Sequence, residues 1–142
     1  MRFVLFLHVA AAIVLIGPPT MAAMASPRFV RQGTEGVPVL RFLNRTTRRY
    51  GFASIAVWAL GAALVGLDKH ASWHDFWISA SMTLFVVYLV LLYWLVERGQ
   101  RKALRHIERG ESPEAFANRI ASGAGMSALV WFAILLLMVY KP

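Results

Sequence analysis

Four long apolar runs organise the chain: Phe3 to Ala25, Tyr50 to Leu67, Phe76 to Val96, and Ala121 to Tyr140. Polar stretches at 26–49, 68–75 and 97–120 separate them. An α-helix rises ~1.5 Å per residue, so crossing ~30 Å of hydrocarbon takes about 20 residues. Each run is close to that length, the second being the shortest. The pattern predicts an all-α fold, a bundle of four transmembrane helices. It forms a single membrane domain, 1–142, with spans at about 3–25, 50–67, 76–96 and 121–140. No internal repeat, low-complexity tract or second domain interrupts this organisation.

Composition agrees with the pattern. Hydrophobic residues make up 58% of the chain and charged ones 15%, against about 25% charged in an average soluble domain. So few charges cannot coat a soluble globule, and lipid must solvate most of the surface. There is no cysteine, which excludes disulfides, thiolate metal sites, cysteine nucleophiles and c-type haem attachment. No Ser-His-Asp set, carboxylate pair, phosphate-binding loop or dinucleotide loop is present.

Charge placement gives an orientation. The first polar stretch carries Arg28, Arg31, Arg41, Arg45, Arg48 and Arg49, and the third carries Arg98, Arg101, Lys102, Arg105, Arg109 and Arg119. Only Arg2, Lys69 and Lys141 lie on the other side. This asymmetry predicts basic loops in the cytoplasm and both termini outside. The net charge of +8 is thus accounted for by topology and anionic lipid, not nucleic acid. Val37, Leu40 and Leu43 alternate with Arg41, Arg45 and Arg48, as in a short amphipathic helix on the inner leaflet. Arg41, Arg45, Arg48 and Arg49 are the expected contacts to membrane lipid or to a docking partner.

The first run resembles a cleavable signal peptide, with Arg2, an apolar stretch and Ala-Ala-Met-Ala before Ser26. It is longer than a typical signal core and is read as a retained helix. Trp73, Phe76, Trp77, Tyr93, Trp94, Tyr50 and Tyr140 mark span ends as an interfacial belt, whereas Trp58 and Trp131 sit deeper and read as packing residues. Ala62 and Gly66, Ser79 and Thr83, Ala121 and Gly125, Gly123 and Ser127, and Ala124 and Ala128 are small pairs four apart, suited to close helix approach. Ser112-Pro113-Glu114 reads as a helix start, with Ser112 as the cap and Pro113 in the first turn. Scattered methionines, with only Met21 and Met24 close together, read as packing.

Candidate chemistry centres on histidine. His8 lies about two turns into the first helix. An ionisable group inside a span faces the bundle or a cavity, and neutral imidazole is an axial haem ligand. Ala10, Ala11 and Ala12 leave room beside it for a flat macrocycle. The alternative is a histidine hydrogen-bonded to a neighbouring helix. His70 and His74, flanked by Asp68 and Asp75, form a divalent-metal candidate if the segment is helical. His74 is also a candidate second axial ligand beside His8. The alternative for both is an ordinary polar loop. His106 reads as solvated. Gly17-Pro18-Pro19-Thr20 predicts a kink in the first helix, or a broken helix lining a cavity.

Leu7-His8 followed by small and branched residues and Gly17, then Pro27-Arg28-Phe29-Val30, Arg48-Arg49-Tyr50 before a helix containing Gly61, and Val139-Tyr140-Lys141-Pro142 together resemble a bacterial superfamily. It includes the membrane domain of copper resistance protein CopD, small integral membrane proteins related to it, and the HemJ-type protoporphyrinogen oxidase. The resemblance implies a four-helix unit in the bacterial plasma (inner) membrane. In its oxidase branch it implies haem b on the helix-one histidine, which maps onto His8. The oxidase also has a lysine in helix three, where this chain reads Trp77-Ile78-Ser79-Ala80-Ser81-Met82-Thr83. Ile16-Gly17-Pro18-Pro19 replaces its tryptophan–glycine pattern.

The reading is a haem b-binding accessory or electron-transfer-linked unit rather than an enzyme. The alternatives are a structural subunit of a larger membrane complex without cofactor, a porphyrinogen oxidase with a large apolar cavity beside His8, and copper handling through His70 and His74. A homodimer or a place in a larger complex is expected, because four short helices bury little surface alone.

Overall fold

The computed structural model describes residues 1–141, which are all-helical with short connections. Arg2–Arg31 forms α1. A 3-10 turn, Gly33–Gly36, leads into α2, Val37–Ala53, and α3, Ile55–Leu67. After a turn comes α4, Phe76–Leu91, which passes through a π-helical segment, Leu92–Glu97, into α5, Arg98–Glu108. The chain closes with α6, Glu114–Tyr140. Four units, Arg2–Arg31, Gly33–Leu67, Phe76–Glu108 and Glu114–Tyr140, are long and apolar enough to cross a membrane. Within their most apolar windows only 17–28% of residues are buried inside the protein. Phe3, Phe6, Ile13, Leu129 and Phe132 are all more than half exposed. Apolar side chains outside and polar ones inside is the arrangement lipid solvent demands. The chain is a multi-pass membrane protein built as a four-helix bundle.

The helices run further than hydropathy predicts. The stretch 26–49, expected as a connection, is almost entirely helical: α1 continues past Pro27 to Arg31, and α2 starts at Val37. Burial explains the extension. Ser26 and Val30 are fully enclosed, and Ser26 Oγ donates to Ala22 O at 2.6 Å, so packing outweighs the backbone donor lost at proline. Nor do Pro18 and Pro19 break α1, which is helical throughout. The α6 start is displaced by one residue from the expected cap: Pro113, not Ser112, occupies the N-cap, with no side-chain hydrogen bond there.

The amphipathic α2 turns its apolar face to the protein rather than to the leaflet. Leu40 and Leu43 are buried, as are Asn44 and Thr47 after them, while Arg41, Arg45, Arg48 and Arg49 stay exposed. At this basic end of the bundle the core is polar. Gln100 is fully enclosed and donates through Nε2 to Ser26 Oγ at 2.6 Å and Thr47 Oγ1 at 3.3 Å. Its Oε1 accepts from Asn44 Nδ2 at 3.1 Å. One side chain thereby ties α1, α2 and α5 together.

The π segment sits inside this knot. A π turn disturbs the regular i to i−4 ladder and leaves carbonyls needing other donors. Two come from other helices: Arg119 Nη2 donates to Trp94 O at 3.1 Å, and Asn44 Nδ2 to Glu97 O at 3.3 Å. Tyr93 Oη in turn donates to Arg48 O at 2.7 Å. Against the same segment α6 comes close at Gly123, where a Cβ would lie 2.6 Å from Leu95 Cβ. The Glu97 carboxylate is 4% exposed and lies 2.8 Å from Arg101 Nε. Its Oε1 accepts no aligned hydrogen bond, so the contact is electrostatic.

Candidate functional site

Between α1, α3, α4 and α6 lies a partly open cavity of about 1100 Å³ whose lining follows α1 from Leu5 to Ala25. Ligand pockets commonly span about 300–1,000 Å³, so this one takes a large ligand. Its walls are apolar, among them Ile16, Phe85, Trp131, Ile134 and Met138, and the few polar groups are His8, Thr20, Ser81 and Lys141 together with the indoles. A second hollow of about 380 Å³ beside Trp94, Arg98 and Arg101 at the basic end is shallow and largely open. The larger one contains His8.

His8 is 9% exposed. Its Nδ1 lies 3.0 Å from Val57 O. A backbone carbonyl only accepts, so a neutral imidazole must carry its proton on Nδ1. That leaves Nε2 with a bare lone pair. Nε2 takes no hydrogen bond among the described residues and is not enclosed. Anchoring one ring nitrogen on a carbonyl while the other stays open is the arrangement that orients metal-ligating histidines.

Gly61, one turn after Val57, makes the anchor reachable. A Cβ there would stand 3.1 Å from His8 Cε1 and 3.7 Å from Met82 Cε. The imidazole therefore packs close against α3 at Gly61, with the Met82 methyl nearby. The expected alternative for His8, a hydrogen bond to a neighbouring helix, and the expected orientation toward a cavity are thus both present, on different ring nitrogens.

Other expected residues lie elsewhere. His70 and His74 are exposed in the turn between α3 and α4, which is not helical, so their spacing does not stack them on one face. Asp68 Oδ1 accepts from His70 N at 2.9 Å and Asp75 Oδ2 from Ser72 N at 2.9 Å. These carboxylates shape the turn, and no group of three metal-ligating side chains forms among the described residues. His74 is not among the residues that line the cavity with His8. His106 is half-buried rather than solvated, edge-on to Phe116 at 4.6 Å and 3.2 Å from Glu111. Gly17 and Thr20 do line the cavity, although the helix that carries them is unbroken. Trp131 packs against the hydrophobic core as expected and lines the cavity as well, whereas Trp58 lines it while 39% exposed. Val57 O, Gly61, Ser81 and Met82 are site elements that the residue pattern alone did not single out. The one available signal was a glycine on α3 at a depth comparable to His8. No protein-family model matches the chain, and no curated protein or solved structure matches it either.

Proposed function

We propose that this protein is a haem b-binding unit of the plasma membrane, with His8 as axial ligand and a role as accessory to electron transfer. The observation that carries the reading is the pairing of an anchored imidazole, its Nε2 unengaged, with a large, partly open apolar cavity. Haem b is flat, apolar over its faces and lipid-soluble enough to enter sideways. Ala12, Gly17 and Gly61 keep the wall beside His8 low. When bound, haem supplies one-electron chemistry. The protein's contribution is the ligand, its hydrogen-bonded orientation and an apolar surround. The resemblance of the Leu7-His8 and Arg48-Arg49-Tyr50 segments to CopD/HemJ-like proteins supports the same reading, as does the placement of arginines at one end for the orientation with both termini outside.

The test is the visible spectrum of the protein purified in mild detergent from haem-replete cells, oxidised and then reduced with dithionite, beside a His8→Ala variant. A Soret band that shifts on reduction and is lost in the variant is expected. A featureless wild-type spectrum rejects the reading.

A second reading, porphyrinogen oxidation, draws on the size of the same cavity, which accommodates a substrate as large as a tetrapyrrole. Oxidation of added protoporphyrinogen that depends on His8 would favour it over a purely accessory role.

A further inference from the structure

Among the described residues that line the apolar cavity, Lys141 is the one whose side chain carries a permanent charge. Lys141 lines it at the C-terminal end of α6, at the mouth nearest the α1 N-terminus, where Leu5 and Val139 also face the opening. Among the described residues no carboxylate side chain lines the cavity. The Lys141 backbone is left-handed, φ +46°, which ends the helix there. Its Nζ stands 5.3 Å from the centre of the Trp77 ring. A cation over an indole face is held at the interface without being neutralised, and it keeps donors for an anion. His8 sits six residues into α1, roughly 9 Å from the helix start at ~1.5 Å per residue. The lining thus offers a metal-seeking nitrogen and, toward the same end of the cavity, a lysine.

We infer that the cavity selects ligands with an apolar body and a carboxylate at one edge, and that Lys141 is the residue that recognises the acid. This rests on the haem reading for the identity of the body. His8 would hold the central metal and Lys141 the propionates, so that the two residues together would orient the macrocycle. The recognition is by charge, so arginine should replace lysine and glutamine should not.

The experiment is equilibrium binding in nanodiscs of uncharged phosphatidylcholine, which removes lipid charge as a competitor. Ferric haem b and its dimethyl ester are titrated into wild type, Lys141→Gln, Lys141→Arg and His8→Ala. The expected result is that Lys141→Gln weakens the diacid about fivefold and leaves the diester unchanged, in line with one interfacial ion pair. Lys141→Arg should behave as wild type, and His8→Ala should weaken both forms. Equal weakening of acid and ester by Lys141→Gln, or no effect on the acid, overturns the assignment. If neither tetrapyrrole binds through His8, the haem reading fails, and a second probe decides the role of Lys141 by itself. A brominated long-chain fatty acid and its methyl ester are then compared by quenching of tryptophan fluorescence, since Trp58 and Trp131 line the cavity. A preference for the acid that Lys141→Gln abolishes supports the assignment. The same preference in both proteins overturns it.

Discussion

The two ends of the bundle bury polar groups in opposite ways. At the basic end, Gln100, Asn44, Ser26 and Thr47 form a network in which the side-chain amides find protein partners. Packing there is tight enough that Gly123 has no room for a methyl group. At the end that carries the termini, His8 satisfies one nitrogen and leaves the other open, and the helices stand apart around about 1100 Å³. In lipid, helix association relies on close packing and interhelical hydrogen bonds rather than on hydrophobic burial. Concentrating both at one end holds the bundle together while the other end stays open. Stability and ligand capacity thereby rest on different sets of side chains, and substitutions in the two sets should report on different properties.

The largest effect is expected from Gly123→Val. A side chain there drives into Leu95 and Val96 beside the π segment, and the rigid backbone on both sides gives little relief. Overpacking of this kind should cost about 3 kcal/mol, read as a lower unfolding midpoint in mild detergent. Gln100→Leu comes next. It leaves Ser26 and Asn44 without their shared partner in a fully buried site, and about 2 kcal/mol is expected. Ligand affinity at the cavity should not change in folded Gln100→Leu protein, and a loss of affinity there would break the separation of the two ends.

Gly61→Ala tests the cavity end from the other direction. The added methyl group stands 3.1 Å from His8 Cε1, so the ring must shift by a few tenths of an ångström from its anchored position. Haem affinity should fall about tenfold, with stability changed by less than about 1 kcal/mol. A drop in stability without a drop in affinity would assign His8 a packing role. The smallest effect belongs to Arg41→Gln. Its ion pair with Glu108 spans 3.1 Å, but both side chains are more than half exposed, and such pairs contribute about 0.5 kcal/mol or less. Thermal unfolding of this variant should match wild type within error.

Hydropathy made the four spans legible because lipid imposes a length that composition alone reveals. The amphipathic helix from Val37 was legible, but the continuation of α1 to Arg31 was hidden because Pro27 and the arginines suggest a loop. What overrides them is the enclosure of Ser26, Val30 and Leu40, and that depends on residues from distant parts of the chain. Gln100 illustrates the same limit: in a basic stretch it reads as surface, yet it is fully buried. His8 was conspicuous as an ionisable residue within a span. Its anchor was not, since Val57 contributes only a backbone carbonyl and Gly61 only the absence of a side chain. The condition set for His70 and His74, a helical segment, is not met, because Asp68 and Asp75 direct their carboxylates to backbone donors of a tight turn. Small-residue spacing was informative but not selective. Gly123 is used inside the bundle, whereas Gly125 faces open space, and the two look alike in sequence.

The most direct test is stoichiometric. Ferric haem b is titrated into ligand-free protein in nanodiscs and followed at the Soret band, with His8→Ala in parallel. One haem per chain is expected for wild type, with affinity lost by at least about tenfold in the variant. Identical titrations for the two proteins, or no saturable binding to wild type, would contradict ligation by His8 and leave the cavity without its proposed cofactor.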